Sequence, residues 1–328
     1  MTTLIDSFGR VHRDLRVSLT DRCSLRCSYC MPAEGMPWIA HNDILSTNEL
    51  VRVIEVAVDL GIEQIRLTGG EPLLRPDVVE IVGAIASLPQ PPRISLTTNG
   101  IRLPSLAAPL ADAGLERVNI SLDTLKRDRF LAITRRDRLV DVLAGVAAAK
   151  AAGLAPVKIN AVLLRDVNDD EAVSLLRWAL HENLALRFIE QMPLDAQHLW
   201  DRTQMITGAE ILTRLGDEFT LTPIPNRGAA PAEDFLVDGG PSTVGIIASV
   251  TSPFCGSCDR LRLTADGQLR SCLFSREESD LRTLLRAHAD EASLAARIRT
   301  CVAGKQAGHG INDPGFLQPN RSMSAIGG

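Results

Sequence analysis

The 328-residue chain lacks an excess of positive charge, and it lacks any apolar run of the length that crosses a membrane. Its formal net charge is −5. General binders of nucleic acid or of membrane surfaces depend on excess positive charge, so this composition argues against both classes but leaves room for a local basic pocket. The N-terminus also lacks the apolar segment of a signal peptide. We therefore expect a cytoplasmic protein with one large α/β domain or two domains.

Each of the two cysteine groups in the chain lacks a fourth cysteine. Six of the seven cysteines form these groups, Cys23, Cys27 and Cys30 in the first and Cys255, Cys258 and Cys272 in the second. Cys301 stands alone, and we interpret it as a structural or incidental thiol. In a cytoplasmic chain, grouped cysteines indicate metal or redox chemistry more than disulfides.

The first cysteine group has the spacing C-x3-C-x2-C. Three thiolates can hold a [4Fe–4S] cluster by three of its four irons, which leaves the fourth iron open to an external ligand. Tyr29, between the last two cysteines, suits contact with such a ligand. The alternatives are a zinc site or chance thiols, but zinc usually takes four ligands, and the next histidine along the chain is His41. We predict a catalytic cluster here.

The second cysteine group lies beside a run of arginines. Arg260 and Arg262 alternate along a predicted strand and so share one face, and Arg270 lies across the hairpin that an Asp-Gly pair predicts. Guanidinium groups match phosphates and base edges, although a solvated strand face is the alternative. For the cysteines, a zinc site completed by a distant histidine such as His309 competes with a second cluster that also has an open iron. The presence of two three-cysteine groups favours the second cluster.

Short apolar strands alternate with helices over the first part of the chain. Such alternation is typical of a parallel sheet, and the six predicted strands are 14–19, 63–69, 93–98, 116–123, 155–164 and 184–192. Polar residues lie at or near the carboxyl ends of all six, which favours a barrel mouth over the switch point of an open sheet. We therefore predict an α/β fold, an incomplete (βα)6 TIM-type barrel over residues 1–221, with a C-terminal region (222–328) that closes the open side.

Three further features have both a functional and a plain structural interpretation. The glycines of TGGEP (68–72) let a backbone approach a ligand closely, but the segment is also an ordinary turn. Three basic side chains are predicted to lie inside the barrel: Arg16, Arg66 and Lys158. Such side chains need an anion, either a bound polyphosphate or an internal carboxylate such as Glu190. Local physics favours a frayed end for Gly327 and Gly328, although glycines also fit into a crowded pocket.

Together these segments resemble the radical SAM superfamily and, within it, the GTP 3′,8-cyclase family of molybdenum cofactor biosynthesis. The first cysteine group carries the superfamily motif, and the second group with the Gly-Gly end is the more specific part. The resemblance covers nearly the whole chain, through LRVSLTDRCSLRCSYCMP (15–32), LTGGEPLLR (67–75), TTNG (97–100), RVNISLDTL (117–125), KINAV (158–162), FIEQMP (188–193), SPFCGSCDRLRLTADGQLRSCLF (252–274) and RSMSAIGG (321–328).

This resemblance implies a role for each set of residues. Two [4Fe–4S] clusters would be bound, one by Cys23, Cys27 and Cys30 and the other by Cys255, Cys258 and Cys272. S-adenosyl-L-methionine would take the open iron of the first cluster and contact Tyr29, Gly70, Ser121 and Met192, with Gly69 and Glu71 in the same loop. GTP would take the open iron of the second and contact Arg16, Arg66, Thr97, Lys158, Arg260, Leu261 and Arg262. Gly327 and Gly328 would enter the pocket and help to start the radical reaction.

The implied activity is a lyase reaction that converts GTP to 3′,8-cyclo-7,8-dihydro-GTP, the first step of molybdenum cofactor biosynthesis. A 5′-deoxyadenosyl radical would take hydrogen from C3′ of the ribose, and C3′ would then attack C8 of the purine. The product would pass to cyclic pyranopterin monophosphate synthase; an electron donor would be needed, and a homodimer is compatible with these features. The alternatives are another radical SAM enzyme with an auxiliary cluster that acts on a peptide or small molecule, and a zinc- or iron–sulfur-dependent binding protein without turnover.

Overall fold

A computed structural model describes residues 3–328, and twelve strands form one continuous sheet in it. The first six strands pair in parallel and in chain order. They are β1 (Asp14–Ser18), β2 (Gln64–Thr68), β3 (Arg93–Thr98), β4 (Arg117–Ser121), β5 (Lys158–Val162) and β6 (Ala185–Ile189). The helices that connect them are α1 (Thr47–Asp59), α2 (Val78–Ala86), α3 (Leu103–Asp112), α4 (Arg127–Thr134), α5 (Leu139–Ala151) and α6 (Ala172–His181). The predicted α/β class with its parallel sheet is confirmed.

Helix α4 is an element that the sequence analysis does not predict. Its segment, RDRFLAIT, has three charged residues followed by a mostly apolar run and shows no clear helical stripe. Phe130 and Ile133 are nevertheless buried, because the helix packs on α5 in the connection between β4 and β5. Tertiary packing therefore supplies the stability that the local pattern does not indicate.

The C-terminal part of the chain extends both edges of the six-stranded sheet. Strand β9 (Thr243–Ile247) pairs in parallel with β6, and β10 (Arg260–Leu263) pairs in parallel with β1. The other strands, which pair antiparallel, are β7 (Leu221–Pro223), β8 (Glu233–Val237), β11 (Gln268–Arg270) and β12 (Ser279–Asp280). The predicted hairpin between β10 and β11 is confirmed, with Gly267 at φ +80° in its turn, whereas β8 was not expected in a Pro- and Gly-rich segment.

Four more helices complete the chain: α7 (Gly208–Gly216), α8 (Arg282–Arg286), α9 (Glu291–Ala303) and α10 (Met323–Ile326). No helix in residues 3–328 is both long enough and apolar enough to cross a membrane.

Alternate residues of the strands face two different environments. Leu15 and Val17 of β1 are fully buried in the main hydrophobic core. Arg16, between them, faces a cavity that is also lined by residues of β2 through β6, β9 and β10. Because eight strands line one cavity, the sheet curls around it and delivers polar side chains to its interior.

Helix α5 lies so close to the loop after β3 that Gly145 of the helix has no room for a side chain. A Cβ at Gly145 would lie 2.9 Å from the carbonyl carbon of Gly100, whereas a Cβ at Gly83 in α2 would meet nothing within 4 Å. We expect Gly145→Ala to lower the free energy of unfolding by about 1–3 kcal/mol, because backbone has to move. Gly83→Ala should raise it by up to about 1 kcal/mol through helix propensity. Equal urea midpoints for the two variants would contradict this packing.

Candidate active site

The loop after β1 brings the first cysteine group to one cavity. Cys23, Cys27 and Cys30 line a space of about 170 Å³, here called the cysteine cavity, together with Gly69 and Gly70. Burial raises the pKa of Cys23 to about 11 and that of Cys30 to about 12. The pKa of Cys27 also rises through burial, and the charges of Asp123 and the other two cysteines add to this rise.

These thiols fit a [4Fe–4S] cluster better than a single ion. Three thiolates confined to one buried space repel one another, so they need a positively charged partner, which an iron–sulfur core provides. Among residues 3–328, no three His, Cys, Asp or Glu side chains stand close enough to hold one metal ion.

The TGGEP loop lies directly against the loop that carries the cysteines. The Gly70 N–H donates to the Thr20 carbonyl at 2.7 Å, and a Cβ on Gly70 would lie 2.5 Å from the Arg22 carbonyl oxygen. Gly69 has a φ of +146°, where an L side chain is strained. The two glycines are thus required by contact between the two backbones, and both also line the cysteine cavity.

Glu71 follows Gly69 and Gly70 in the same loop, and its side chain makes a separate set of contacts. Its carboxylate is buried, and it accepts hydrogen bonds from Thr98 Oγ1 at 2.7 Å, the Asn99 N–H at 2.6 Å and the Leu73 N–H at 3.0 Å. Asn99 in turn donates to Ser24 Oγ at 3.0 Å. Of the described residues that line the cysteine cavity, Glu71 is not one, so it supports the cysteine loop from behind.

Tyr29 and Asp123 form a pair at the boundary between two cavities. The Tyr29 hydroxyl donates to Asp123 Oδ2 at 2.7 Å, and the Val162 N–H donates to Oδ1 at 2.9 Å. Burial raises the pKa of Asp123 to about 6. The sequence analysis placed Asp123 at the end of a strand but assigned it no role; its spacing of two from Ser121 was the signal for a shared inward face.

A second cavity, of about 240 Å³, holds a concentration of positive charge. We call it the arginine cavity because five arginines line it: Arg16, Arg66, Arg187, Arg260 and Arg262. Burial lowers the pKa of Arg16 well below its usual value, and the charges of Arg262 and Arg66 lower it further. Among residues 3–328, the buried Nε atoms of Arg16 and Arg66 have no hydrogen-bond partner. An anion with several oxygens would satisfy both the charge and these donors.

The predicted internal carboxylate does not compensate these charges. Glu190 lies at the cavity wall, but its oxygens accept from the N–H groups of Gly208, Val250 and Thr251. The alternative of an internal salt bridge to Glu190 is therefore wrong, since the carboxylate already satisfies main-chain donors.

Most but not all of the predicted substrate residues meet at the arginine cavity. Arg16, Arg66, Thr97, Arg260 and Arg262 line it. In the described chain, Lys158 and Leu261 do not. Leu261 is fully buried in the hydrophobic core, and burial together with nearby Arg187 and Arg117 lowers the pKa of Lys158 to about 8.

Arg187 is not predicted from the sequence, although its alternation within β6 indicates an inward side chain.

The residues expected to contact the cofactor divide between the two cavities. Tyr29 and Ser121 line both, while Met192 lines the arginine cavity and, in the part of the chain that the structure describes, not the cysteine cavity.

The second cysteine group lies beside the arginine cavity. Cys258 and Cys272 line a recess of about 70 Å³ together with Arg260 and Arg262. Burial raises the pKa of Cys258, but the positive charges of Arg260 and Lys305 outweigh it and bring this pKa below its usual value. Lys305 is buried, with its Nζ 3.6 Å from Cys258 Sγ, and was not anticipated from the sequence. These charges therefore stabilise the thiolate form of Cys258, which is the form that a cluster ligand takes.

The loop of Cys255 is held by a residue from the opposite end of the chain. Arg10 donates to the Cys255 carbonyl at 2.7 Å and to the Ala307 carbonyl at 3.0 Å, and its Nε pairs with Asp6 at 2.6 Å. His309, the candidate fourth zinc ligand, uses both ring nitrogens: one contacts the Ser249 carbonyl at 3.0 Å, and the other the Ile311 N–H at 3.1 Å. This arrangement gives the zinc alternative no free histidine here.

The C-terminal glycines lie at the cavities and are not frayed. Gly328 lines both the cysteine and the arginine cavity. The Gly327 carbonyl accepts a hydrogen bond from Arg262. A Cβ on Gly327, at φ +90°, would lie 2.6 Å from Thr68 Oγ1. The local sequence indicates a frayed end because the residues that hold these glycines in place lie far away in the sequence.

The buried Glu71 carboxylate generates a stability prediction. Glu71→Gln replaces an acceptor oxygen by an amide that opposes main-chain donors, so we expect a loss of about 1–3 kcal/mol in the free energy of unfolding. Hydrogen exchange of the Asn99 amide should also become faster. The matched control is Glu63→Gln, at a side chain that is 59% exposed, which should change neither quantity. An unaltered Asn99 exchange rate in Glu71→Gln would contradict the supporting role.

Two family models match successive parts of the chain. Residues 17–179 match the family model described as Radical SAM superfamily, and residues 184–311 match the one described as Molybdenum Cofactor Synthesis C. The fold is similar to that of Streptococcus suis SuiB bound to S-adenosylmethionine, with a TM-score of 0.59 and 15% identity over 89% of this chain and 69% of that one. SuiB bound to its precursor peptide SuiA gives a TM-score of 0.60 at 14% identity, over 89% and 68% of the chains.

The curated relatives extend over almost the entire chain. A protein of Streptomyces coelicolor named GTP 3′,8-cyclase is 60% identical over 99% of this chain and 96% of its own length. Mycobacterium sp. strain KMS has a protein of the same name that is 57% identical over 99% of this chain and 93% of its own length. In Mycobacterium tuberculosis H37Rv, GTP 3′,8-cyclase 2 is 56% identical, over 99% and 92%. The chain therefore belongs to the GTP 3′,8-cyclase family of the radical SAM superfamily.

Proposed function

We propose that the protein is a lyase that uses S-adenosyl-L-methionine to convert GTP to 3′,8-cyclo-7,8-dihydro-GTP, the first step of molybdenum cofactor biosynthesis. The observation that carries this proposal is the arginine cavity. Its arginine charges lie between the two cysteine groups, where a nucleoside triphosphate can face both. The names of the relatives support the same substrate and product.

The first cysteine group would hold the radical-generating [4Fe–4S] cluster. The chemistry that such a cluster supplies is the one-electron cleavage of S-adenosyl-L-methionine. Around it, Gly69, Gly70 and Ser121 provide a wall on which the cofactor can lie, because they line the cysteine cavity. Tyr29 is held by Asp123 and so has a fixed orientation at the cavity boundary. In this proposal Glu71 supports this wall from behind, and Met192 lies on the side of the arginine cavity.

The arginines would bind the phosphates and orient the ribose toward the cysteine cavity. Arg260 is held rigidly, since its guanidinium lies 4.5 Å from the centroid of the Phe254 ring and donates to the Ala229 carbonyl at 2.6 Å. Thr97 lines both cavities and is suited to a polar contact near the reacting carbon. Lys158 would act through its charge from a neighbouring position, and Leu261 would act only by holding β10 in the core.

Cys255, Cys258 and Cys272 would hold a second [4Fe–4S] cluster with an iron free for the guanine. The recess that Cys258 and Cys272 line with Arg260 and Arg262 supports this proposal. Gly327 and Gly328 would act at the junction of the two cavities. Transfer of the product to cyclic pyranopterin monophosphate synthase, an external electron donor, a homodimer, a cytoplasmic location and a domain boundary at 221/222 stay predictions.

The decisive experiment is anaerobic reconstitution with iron and sulfide, followed by S-adenosyl-L-methionine, a strong reductant and GTP. We expect about eight irons per chain, because two four-iron clusters are bound. 5′-Deoxyadenosine should form at an appreciable rate only when GTP is present. Formation with a peptide but not with GTP would favour the alternative radical SAM modifier. Bound zinc with negligible iron would reject both.

Arg66 should affect stability and substrate binding in opposite directions. Burial lowers its pKa, and the charges of Arg187, Arg117 and Arg260 add to this although Asp14 opposes it. Arg66→Met removes a buried charge with an unpartnered donor, so the urea midpoint of the free protein should rise while GTP affinity falls about 10–100-fold. Arg13→Met, at a side chain that is 54% exposed and pairs with Glu63, should change neither. Unaltered GTP affinity in Arg66→Met, measured by calorimetry, would exclude Arg66 from the binding site.

A further inference from the structure

We propose that Arg321 is a positioning residue that fixes the tail, residues 321–328, at the junction of the cysteine and arginine cavities. The reactive part of this proposal rests on the role proposed above for Gly327 and Gly328. The contacts of Arg321 with Asp266 and Glu278, which we call the clamp, are a structural property of the free protein. They are made six positions before Gly327, so the clamp can be tested apart from the reaction.

The guanidinium group of Arg321 forms a fork: it lies between two carboxylates and bonds to both. Its Nη1 donates to Asp266 Oδ1 at 3.0 Å, and its Nη2 donates to Asp266 Oδ2 at 2.8 Å. Glu278 receives the remaining contacts, from Nη2 at 2.9 Å and from Nε at 2.7 Å. The side chains are 24%, 12% and 23% exposed for Arg321, Asp266 and Glu278. A bidentate guanidinium pair fixes direction as well as distance, which a single exposed ion pair does not.

Both carboxylates are themselves held in place. Asp266 lies in the turn between β10 and β11, where it also accepts from Thr264 Oγ1 at 2.6 Å. Glu278 also pairs with Arg270 of β11, which is almost fully buried. The same hairpin carries the substrate arginines on β10 and leads into Cys272. The clamp therefore ties the base of the tail to the element that holds the second cysteine group.

Only a short and well-packed segment separates the clamp from the glycines. The Met323 N–H donates to the Leu194 carbonyl at 3.2 Å, and one helical turn, α10, follows. Ile326 is buried in a small apolar cluster with Leu194 and Val250. Because one residue of helix advances the chain by about 1.5 Å, a slip by one residue at Arg321 would remove Gly327 from its contact with Arg262.

The tail forms part of the wall between the two cavities. Met323 and Gly328 line both of them, and Ser324 lines the cysteine cavity. Ile326 alone would anchor the tail by an apolar contact, which has no direction. The fork at Arg321 adds the direction, so that the glycines meet Thr68 and Arg262 in one register.

The test uses the full chain as purified and the variant Arg321→Met, which keeps an unbranched apolar side chain but removes the charged guanidinium group. Hydrogen exchange of the peptide covering 316–328 should become at least tenfold faster, while the urea midpoint and the iron content after reconstitution stay near those of the parent. The matched control is Arg276→Met, because Arg276 is an exposed arginine of the same region that contacts Asn320, the residue just before the tail, at 3.4 Å. It should leave tail exchange unchanged. Glu278→Gln, which weakens one side of the fork, should give an intermediate rate.

Turnover then separates the clamp from the proposed reaction. In Arg321→Met we expect kcat for GTP-dependent 5′-deoxyadenosine formation to fall at least tenfold with little change in the Kd of GTP. Parent-like tail exchange in Arg321→Met would overturn the clamp. Faster exchange with parent-like kcat would overturn the positioning role. If the parent shows a protected tail but no reaction with GTP, the proposed function fails while the clamp stands.

Discussion

The parallel pairing of β1 with β10 is the interaction on which the site depends. Main-chain hydrogen bonds align Asp14 with Arg260 and Arg16 with Arg262, although these residues are separated by almost the whole chain. This pairing places the first cysteine group, which follows β1, and the second group, of which Cys255 and Cys258 precede β10 and Cys272 follows β11, on either side of one cavity. It also puts arginines from both ends of the sequence on the same inward face.

The interior of the barrel is built at a cost in electrostatic free energy. Arginines gathered in a buried cavity repel one another and lose hydration, and the carboxylate of Glu190 is used by main-chain donors. Close packing of the surrounding core compensates this cost, since helices α1 to α6 cover the outer face of the six central strands. The positive charge of these arginines is therefore available to a bound anion. Under the proposed function, the same arginines would lower the stability of the free protein and strengthen substrate binding.

The elements that depend on local sequence could be predicted, and those that depend on distant contacts could not. The six strands, their polar ends and the hairpin at Gly267 follow from alternation and from turn residues. Helix α4 and strand β8 were missed because their stability comes from packing and from a partner strand. The cysteines and most of the arginines were identified as site residues. The supporting role of Glu71, the position of Lys158 outside the arginine cavity and the proximity of Lys305 to Cys258 arise from three-dimensional contacts that spacing does not reveal.

The attachment of Arg10 to the Cys255 loop has a consequence for biogenesis on the ribosome. The loop of the first cysteine group is supported by Gly70 and Asn99, and further along the chain by Asp123 and residues 133–135, so its framework has been synthesised once residue 135 is made. The second group needs the hairpin that contains Asp6 and Arg10 together with residues 305–307, which lie far apart in the sequence. We expect the nascent chain to complete the first site before the second, because residues 305–307 are synthesised after the loop of the first cysteine group and its supports.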